Sequence, residues 1–159
     1  MIKKTIKYDD FDNKPHEDDY YFHLTEMELA TLQVEYKPSL TENLESLIDP
    51  IDGAAIIAFL KMIIVRSYGE KTEDGSGFVQ TETVQNKFRA SPAYSALFMS
   101  LLDDSDSFLN FLLGIMPVAS AEKAKLRLDA AQRVKKQKAI EATLLNSLQN
   151  MDGIKGVKK

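Results

Sequence analysis

The run Ala54–Val65, AAIIAFLKMIIV, constrains this chain more than any other stretch. At helical spacing, Ile56, Ile57, Phe59, Leu60, Met62, Ile63 and Ile64 leave almost no polar face. A helix that is apolar all round must be surrounded by other elements. The run contains Lys61 and falls short of the ~20 apolar residues a bilayer span needs. It therefore predicts a central core helix, about Pro50 to Tyr68. Asp49-Pro50 offers a cap and a proline for its start, and Gly69 stands where a C-cap glycine belongs.

The elements around it can be read from changes of period. Ile2, Lys4, Ile6 and Tyr8 alternate onto one face at the N-terminus, and Tyr20, Phe22 and Leu24 repeat that pattern after the polar stretch DDFDNKPHED. Two such runs about an Asp-Asn-Lys-Pro turn predict an antiparallel hairpin with one apolar face. A lone hairpin is marginal in water, so that face is expected to pack on helices or on another subunit. Thr25 with Glu28 forms a capping box for a short helix burying Leu29 and Leu32. Ser39 with Glu42 repeats the device ahead of Leu40, Leu44, Leu47 and Ile48. Further on, Val84 and Phe88 mark a helix starting near Thr81. Ser91-Pro92 starts one carrying Tyr94, Leu97, Phe98 and Leu101. Phe108, Phe111, Leu112 and Ile115 mark another, closed by Gly114 and Pro117.

From Ser120 to about Gln149 the composition, rich in Ala, Lys, Leu and Gln without Gly or Pro, favours one long helix. Its apolar positions form two groups, Ala124, Leu128 and Ala131, then Ile140, Leu144, Leu148 and Met151, separated by KKQK at 135–138. A coiled-coil seam would not be interrupted that way, so the helix is expected to project and dock on something. The fold class expected is α+β, mainly α: an N-terminal antiparallel hairpin, a compact helical body over residues 1–118, and a basic helical tail over 119–159 with a frayed end.

Composition excludes much chemistry. The chain of 159 residues has no cysteine, so disulfides, thiolate metal sites and cysteine nucleophiles are ruled out. With only His16 and His23, histidine-based catalysis and zinc chemistry have little to work with. No apolar region follows the basic residues of MIKKTIKYDD, so no signal peptide is read and a cytoplasmic location is expected. Charge divides unevenly: residues 1–118 carry net −10 and residues 119–159 net +6. An acidic body repels the phosphate backbone that a basic tail attracts, which argues against nucleic acid as the partner. Two readings of the tail stay open: a solvated face, or a helix engaging an acidic surface such as the body of a neighbouring copy.

The segment most like a ligand loop, RSYGEKTEDGSGF at 66–78, fails each template. Gly69 and Gly75 are too far apart for a Walker loop, no lysine precedes Ser76, and the context is a helix where a strand is required. Glu73 and Asp74 sit side by side where a calcium loop alternates its acids. It is read as a helix stop followed by an Asp-Gly turn. Asp9, Asp10 and Asp12, and Asp103, Asp104 and Asp106, are read as caps and solvated turns. His23, sharing a face with Tyr21, is read as a surface histidine lacking a catalytic partner. The hairpin aromatics Tyr8, Phe11, Tyr20, Tyr21 and Phe22, without interleaved arginine, are read as a protein interface. No catalytic, cofactor-binding or metal-ligating residue is assigned.

Together, KKTIKYDDFDNK, DDYYFHLTEMELATLQ, SYGEKTEDGSGF and SPAYSALFMSLLDD…FLNFLLGIMP resemble the tail assembly chaperones of long-tailed bacteriophages infecting Gram-positive hosts. The resemblance covers residues 2–118, and the tail lies outside it. It implies a non-enzymatic protein of the host cytoplasm that coats the phage tape-measure protein, keeps it soluble, and leaves as tube subunits polymerise. It also implies self-association into a homo-oligomer and a longer form made by ribosomal frameshifting. The alternative it leaves open is a structural tail-completion or neck protein of the virion.

Overall fold

The computed structural model describes residues 1–35 and 53–154, with side chains described up to residue 146. Among the described residues, four strands and six helices follow in order: β1 (Ile2–Asp9), β2 (Pro15–Phe22), α1 (Glu26–Glu35), α2 (Gly53–Ser67), β3 (Tyr68–Lys71), β4 (Phe78–Val79), α3 (Glu82–Arg89), α4 (Pro92–Asp103), α5 (Ser105–Ile115) and α6 (Val118–Ile154). The class is α+β and mainly α. The expected helix around Leu40–Ile48 and the Pro50 start lie outside the described residues. The chain divides into two units, Met1–Ala124 and a second beginning at Lys125.

The hairpin belongs to a larger sheet. All four strands pair antiparallel in the order β1-β2-β3-β4. β1 pairs with β2 from Ile2↔Phe22 to Asp9↔Pro15, so β2 starts earlier than its apolar alternation indicates. The polar residues of PHEDD are held in the strand by cross-strand partners. Lys3 and Thr5 donate to Asp19 at 2.8 and 2.7 Å, Tyr8 donates to Asp18 at 2.7 Å, and Lys7 faces Glu17 at 3.5 Å. Such pairs stabilise a sheet without any burial. At the turn, Asn13 takes φ 60°, the left-handed conformation asparagine tolerates well.

The apolar face of the hairpin packs on the chain's own helices. β1 lies against α4 and α5. It approaches α5 so closely that a Cβ on Gly114 would stand 2.5 Å from Ile2 Cγ2. Gly114 thus lies within α5 because β1 needs the space. Of the five hairpin aromatics Phe22 is core, and Tyr8, Tyr20 and Tyr21 are half-buried. Phe22 is fully buried, with its ring 5.2 Å from Phe111 and 5.7 Å from Phe88. Tyr20 packs on Phe88 at 5.3 Å, and Tyr68 stacks on Phe88 at 4.1 Å. Burying each such ring fully is worth about 1.5–3 kcal/mol, and paired rings gain somewhat more. Phe11, at the hairpin turn, stays exposed.

The helix signals mostly hold. Thr25 and Glu28 exchange capping-box hydrogen bonds at 2.8 to 3.2 Å. Thr81, Ser91 and Asp104 are the N-caps of α3, α4 and α5. The C-terminal half of α2 is surrounded as expected, with Phe59, Leu60, Ile63 and Ile64 buried. The one charge of its apolar run, on Lys61, escapes burial by lying over the Phe98 ring.

Gly69 is not a C-cap. α2 ends at Ser67 and runs straight into β3, where Gly69 pairs with Tyr21. Its last carbonyls are satisfied otherwise: the Ser67 carbonyl accepts from His23 N–H at 2.8 Å, and the Gln80 and Gln85 amides donate to the Arg66 carbonyl at 3.2 Å. With those orphans filled, no left-handed glycine is needed. Gly69 serves close packing, because a Cβ there would meet Gln80 Cγ and the Phe78 ring at 2.7 Å.

Candidate functional site

The glycine-dense loop forms strand, turn and strand. Thr72 N–H donates to the Gly77 carbonyl, Gly75 N–H donates to the Thr72 carbonyl, and Gly75 takes φ 71°. The Thr72 and Ser76 hydroxyls and the Ser76 N–H all donate to the Asp74 carboxylate. Those donors hold the Asp74 carboxyl down at about 2. A phosphate cradle needs free N–H groups, and here the amides at 75, 76 and 77 are already engaged. The turn is internally complete, and the β3–β4 pair it closes extends the sheet beyond the helix-stop reading.

The aspartate clusters are likewise structural. Asp10 accepts from Asp12 and Lys14 N–H groups at 2.8 and 2.9 Å and contacts His16 Nε2 at 3.0 Å. These bonds, the Lys14 N–H foremost, lower its pKa. Asp104 caps α5, accepting from Asp106 N–H and the Ser107 hydroxyl. No group of three possible metal ligands occurs among the described residues.

His23 departs from the surface reading. It is half-buried, edge-on to Phe78 at 6.3 Å, and its Nδ1 is buried without a hydrogen-bond partner. Burial lowers its pKa and favours the neutral ring. Its backbone does the structural work, the N–H on the Ser67 carbonyl and the carbonyl accepting from Gln80 at 2.9 Å.

What remains open is apolar. The N-terminal half of α2 is incompletely covered, and its Ile56, Ile57 and Leu60 form a groove of about 250 Å³ with Leu101 and Leu102 of α4 and Phe108 of α5. Sequence reasoning missed this groove, because periodicity marks all of these positions except Leu102 as core. Elsewhere, Met27 and Val34 of α1 and Leu126, Val134, Ile140, Leu144 and Leu145 of α6 are exposed. No helix among the described residues is long and apolar enough to cross a membrane.

The polar groups of the loop and of the aspartate clusters are bonded to one another, and what is left open to solvent is apolar helix surface. The family model described as phage tail assembly chaperone matches residues 1–159, and the chain belongs to that family. The match includes the basic tail, which the segment-by-segment resemblance left aside. No curated protein and no solved structure matches the chain.

Proposed function

We propose that the chain binds and solubilises the tape-measure protein of a long-tailed phage of a Gram-positive host during tail assembly. It works in the host cytoplasm by binding alone, associates with further copies of itself, and has a longer frameshifted form. The groove between α2, α4 and α5 is the observation that carries this reading. Half-buried Ile56 and Ile57 of α2 and exposed Leu102 of α4 rim it over a buried floor of Leu60, Leu101 and Phe108, and it has room for a bulky apolar residue of a partner helix, the recognition mode of a helix in a groove.

Co-expression tests it. The tape-measure protein should move from the pellet to the soluble fraction with the wild-type chain. Leu102→Asp, on the groove's rim and 38% exposed, should abolish that rescue while leaving the fold intact by circular dichroism. Undiminished rescue by Leu102→Asp would remove the groove from the reading, and no rescue by wild type would remove the reading itself. Mass spectrometry of purified particles should find the chain absent; its presence would favour a structural tail component. An antibody against the hairpin should detect a second, longer product in infected cells.

A further inference from the structure

Two exposed stripes, one on α1 and one on α6, match in chemistry and oppose in charge. On α1, Met27 and Val34 are 75% and 79% exposed and share one side of the helix with Ala30. The buried Leu29 and Leu32 take the other side. Glu26 and Glu35 border the stripe, one on each edge, at 3.6 residues per turn. On α6, Ile140 and Leu144 are 47% and 58% exposed, and Val134 and Leu145 complete an apolar arc with them. Lys136 borders one edge of that arc and Lys138 the other, with Arg133 and Glu141 inside it, so the arc keeps a net positive charge. Ala124 and Ala131 fall on the opposite side of this helix, so its two apolar groups face different ways.

We propose that the tail stripe of one copy docks on the α1 stripe of the next, giving an open, head-to-tail assembly. The inference rests on the self-association in the proposed function and names its surfaces. Charge selects the pairing. Two α1 stripes would set Glu26 and Glu35 against their equals, and two tails would oppose lysines, so both symmetric pairings are repulsive. Tail on α1 is attractive on both edges. A contact between two different surfaces leaves one of each unused at the ends, so it propagates. An assembly that grows by adding copies suits the coating of a long partner.

The test uses the full-length chain, with size-exclusion chromatography and light scattering over a concentration series at low and high salt. Wild type should associate, more weakly at high salt. Glu26→Lys with Glu35→Lys, and separately Lys136→Glu with Lys138→Glu, should each weaken association about tenfold, from two exposed pairs turned repulsive. An equal mixture of the two variants should recover most of the wild-type association, because each α1 then meets a tail of opposite charge. Glu35 also pairs with Arg66 at 2.9 Å, so Leu144→Asp on the exposed tail serves as the variant that leaves the body untouched, and it should give monomers. Failure of the mixture to recover, or full association by Leu144→Asp, would overturn these surfaces while self-association stood. A wild type that is monomeric throughout would overturn both, leaving tape-measure binding to its own co-expression test.

Discussion

Replacing Gln80 by glutamate tests how the central helix ends. The Gln80 Nε2 amide lies 2.9 Å from the His23 carbonyl, 3.2 Å from that of Arg66 and 3.3 Å from that of Ser67. One side chain thus ties the segment after β2 to the end of α2. Two amide protons serve three acceptors, so about two net hydrogen bonds are at stake, each contributing roughly 0.5–1.5 kcal/mol. Gln80→Leu should therefore cost about 1–3 kcal/mol. Gln80→Glu removes the same donors and adds a carboxylate facing carbonyl oxygens. The site is half-exposed, so solvent limits the extra repulsion to about 1 kcal/mol at neutral pH. The pH dependence separates the two variants. The surrounding carbonyls raise the folded-state pKa of the introduced carboxyl above its unfolded value of roughly 4.3. The folded variant then binds more protons in that window, so its stability falls as pH rises through it. Below the window the protonated carboxyl donates again, and the deficit should shrink to or below that of Gln80→Leu. Urea unfolding of both variants at pH 4 and pH 7 measures this directly. Equal deficits at both pH values, or Gln80→Glu milder than Gln80→Leu at pH 7, would refute the assigned role of the amide.

Gly114→Ala sets a methyl 2.5 Å from Ile2 Cγ2 and should cost about 1–3 kcal/mol by overpacking; adding Ile2→Ala should make the Gly114→Ala change cheaper in a thermal-denaturation double-mutant cycle. The Asp74 carboxyl, held down at about 2 by its hydroxyl and N–H donors, should titrate near there by NMR. Its contribution to the turn is complete above the ordinary carboxylate range and is lost as pH falls through that lowered value, and a midpoint near 4 would contradict the turn geometry. Thr25→Ala removes the α1 cap that accepts from Glu28 N–H and should cost about 1 kcal/mol, read as faster amide exchange in the first turn of α1.

Features set by local chemistry were legible in the sequence. Ser91-Pro92, Thr25 with Glu28 and Asp104 act within a few residues of themselves, so their roles show in the order of residues. The features that were missed depend on contacts between distant segments. β3 and β4 are short, at Tyr68–Lys71 and Phe78–Val79, too short for alternation to register; β3 forms on Tyr21 and Phe22 of β2, and β4 on β3. Gly69 looked like a helix terminator because nothing nearby reveals that Gln80 would supply donors to the helix end. The groove was illegible because a position on its wall and a position in the core have the same residue type. What separates Ile57 from Ile63 is how completely other helices cover them.

The size of the groove bears on how such a chaperone could hold its partner and still release it. A site of about 250 Å³ takes one large apolar side chain, or two small ones. Burying one such residue is worth about 1.5–3 kcal/mol, far short of the roughly 12 kcal/mol of a nanomolar complex. A single copy should therefore hold its partner weakly. Strong retention of a long partner has to come from many copies joined to one another, since each bound copy raises the effective concentration of the next. In the proposed coat, the tail-to-α1 contact then contributes as much stability as the groove, and copies leave from an end, one at a time, at the cost of a single weak grip. On this argument, Leu144→Asp should impair solubilisation of the tape-measure protein although it lies outside the groove, and a defect steeper with partner length would mark avidity as its cause.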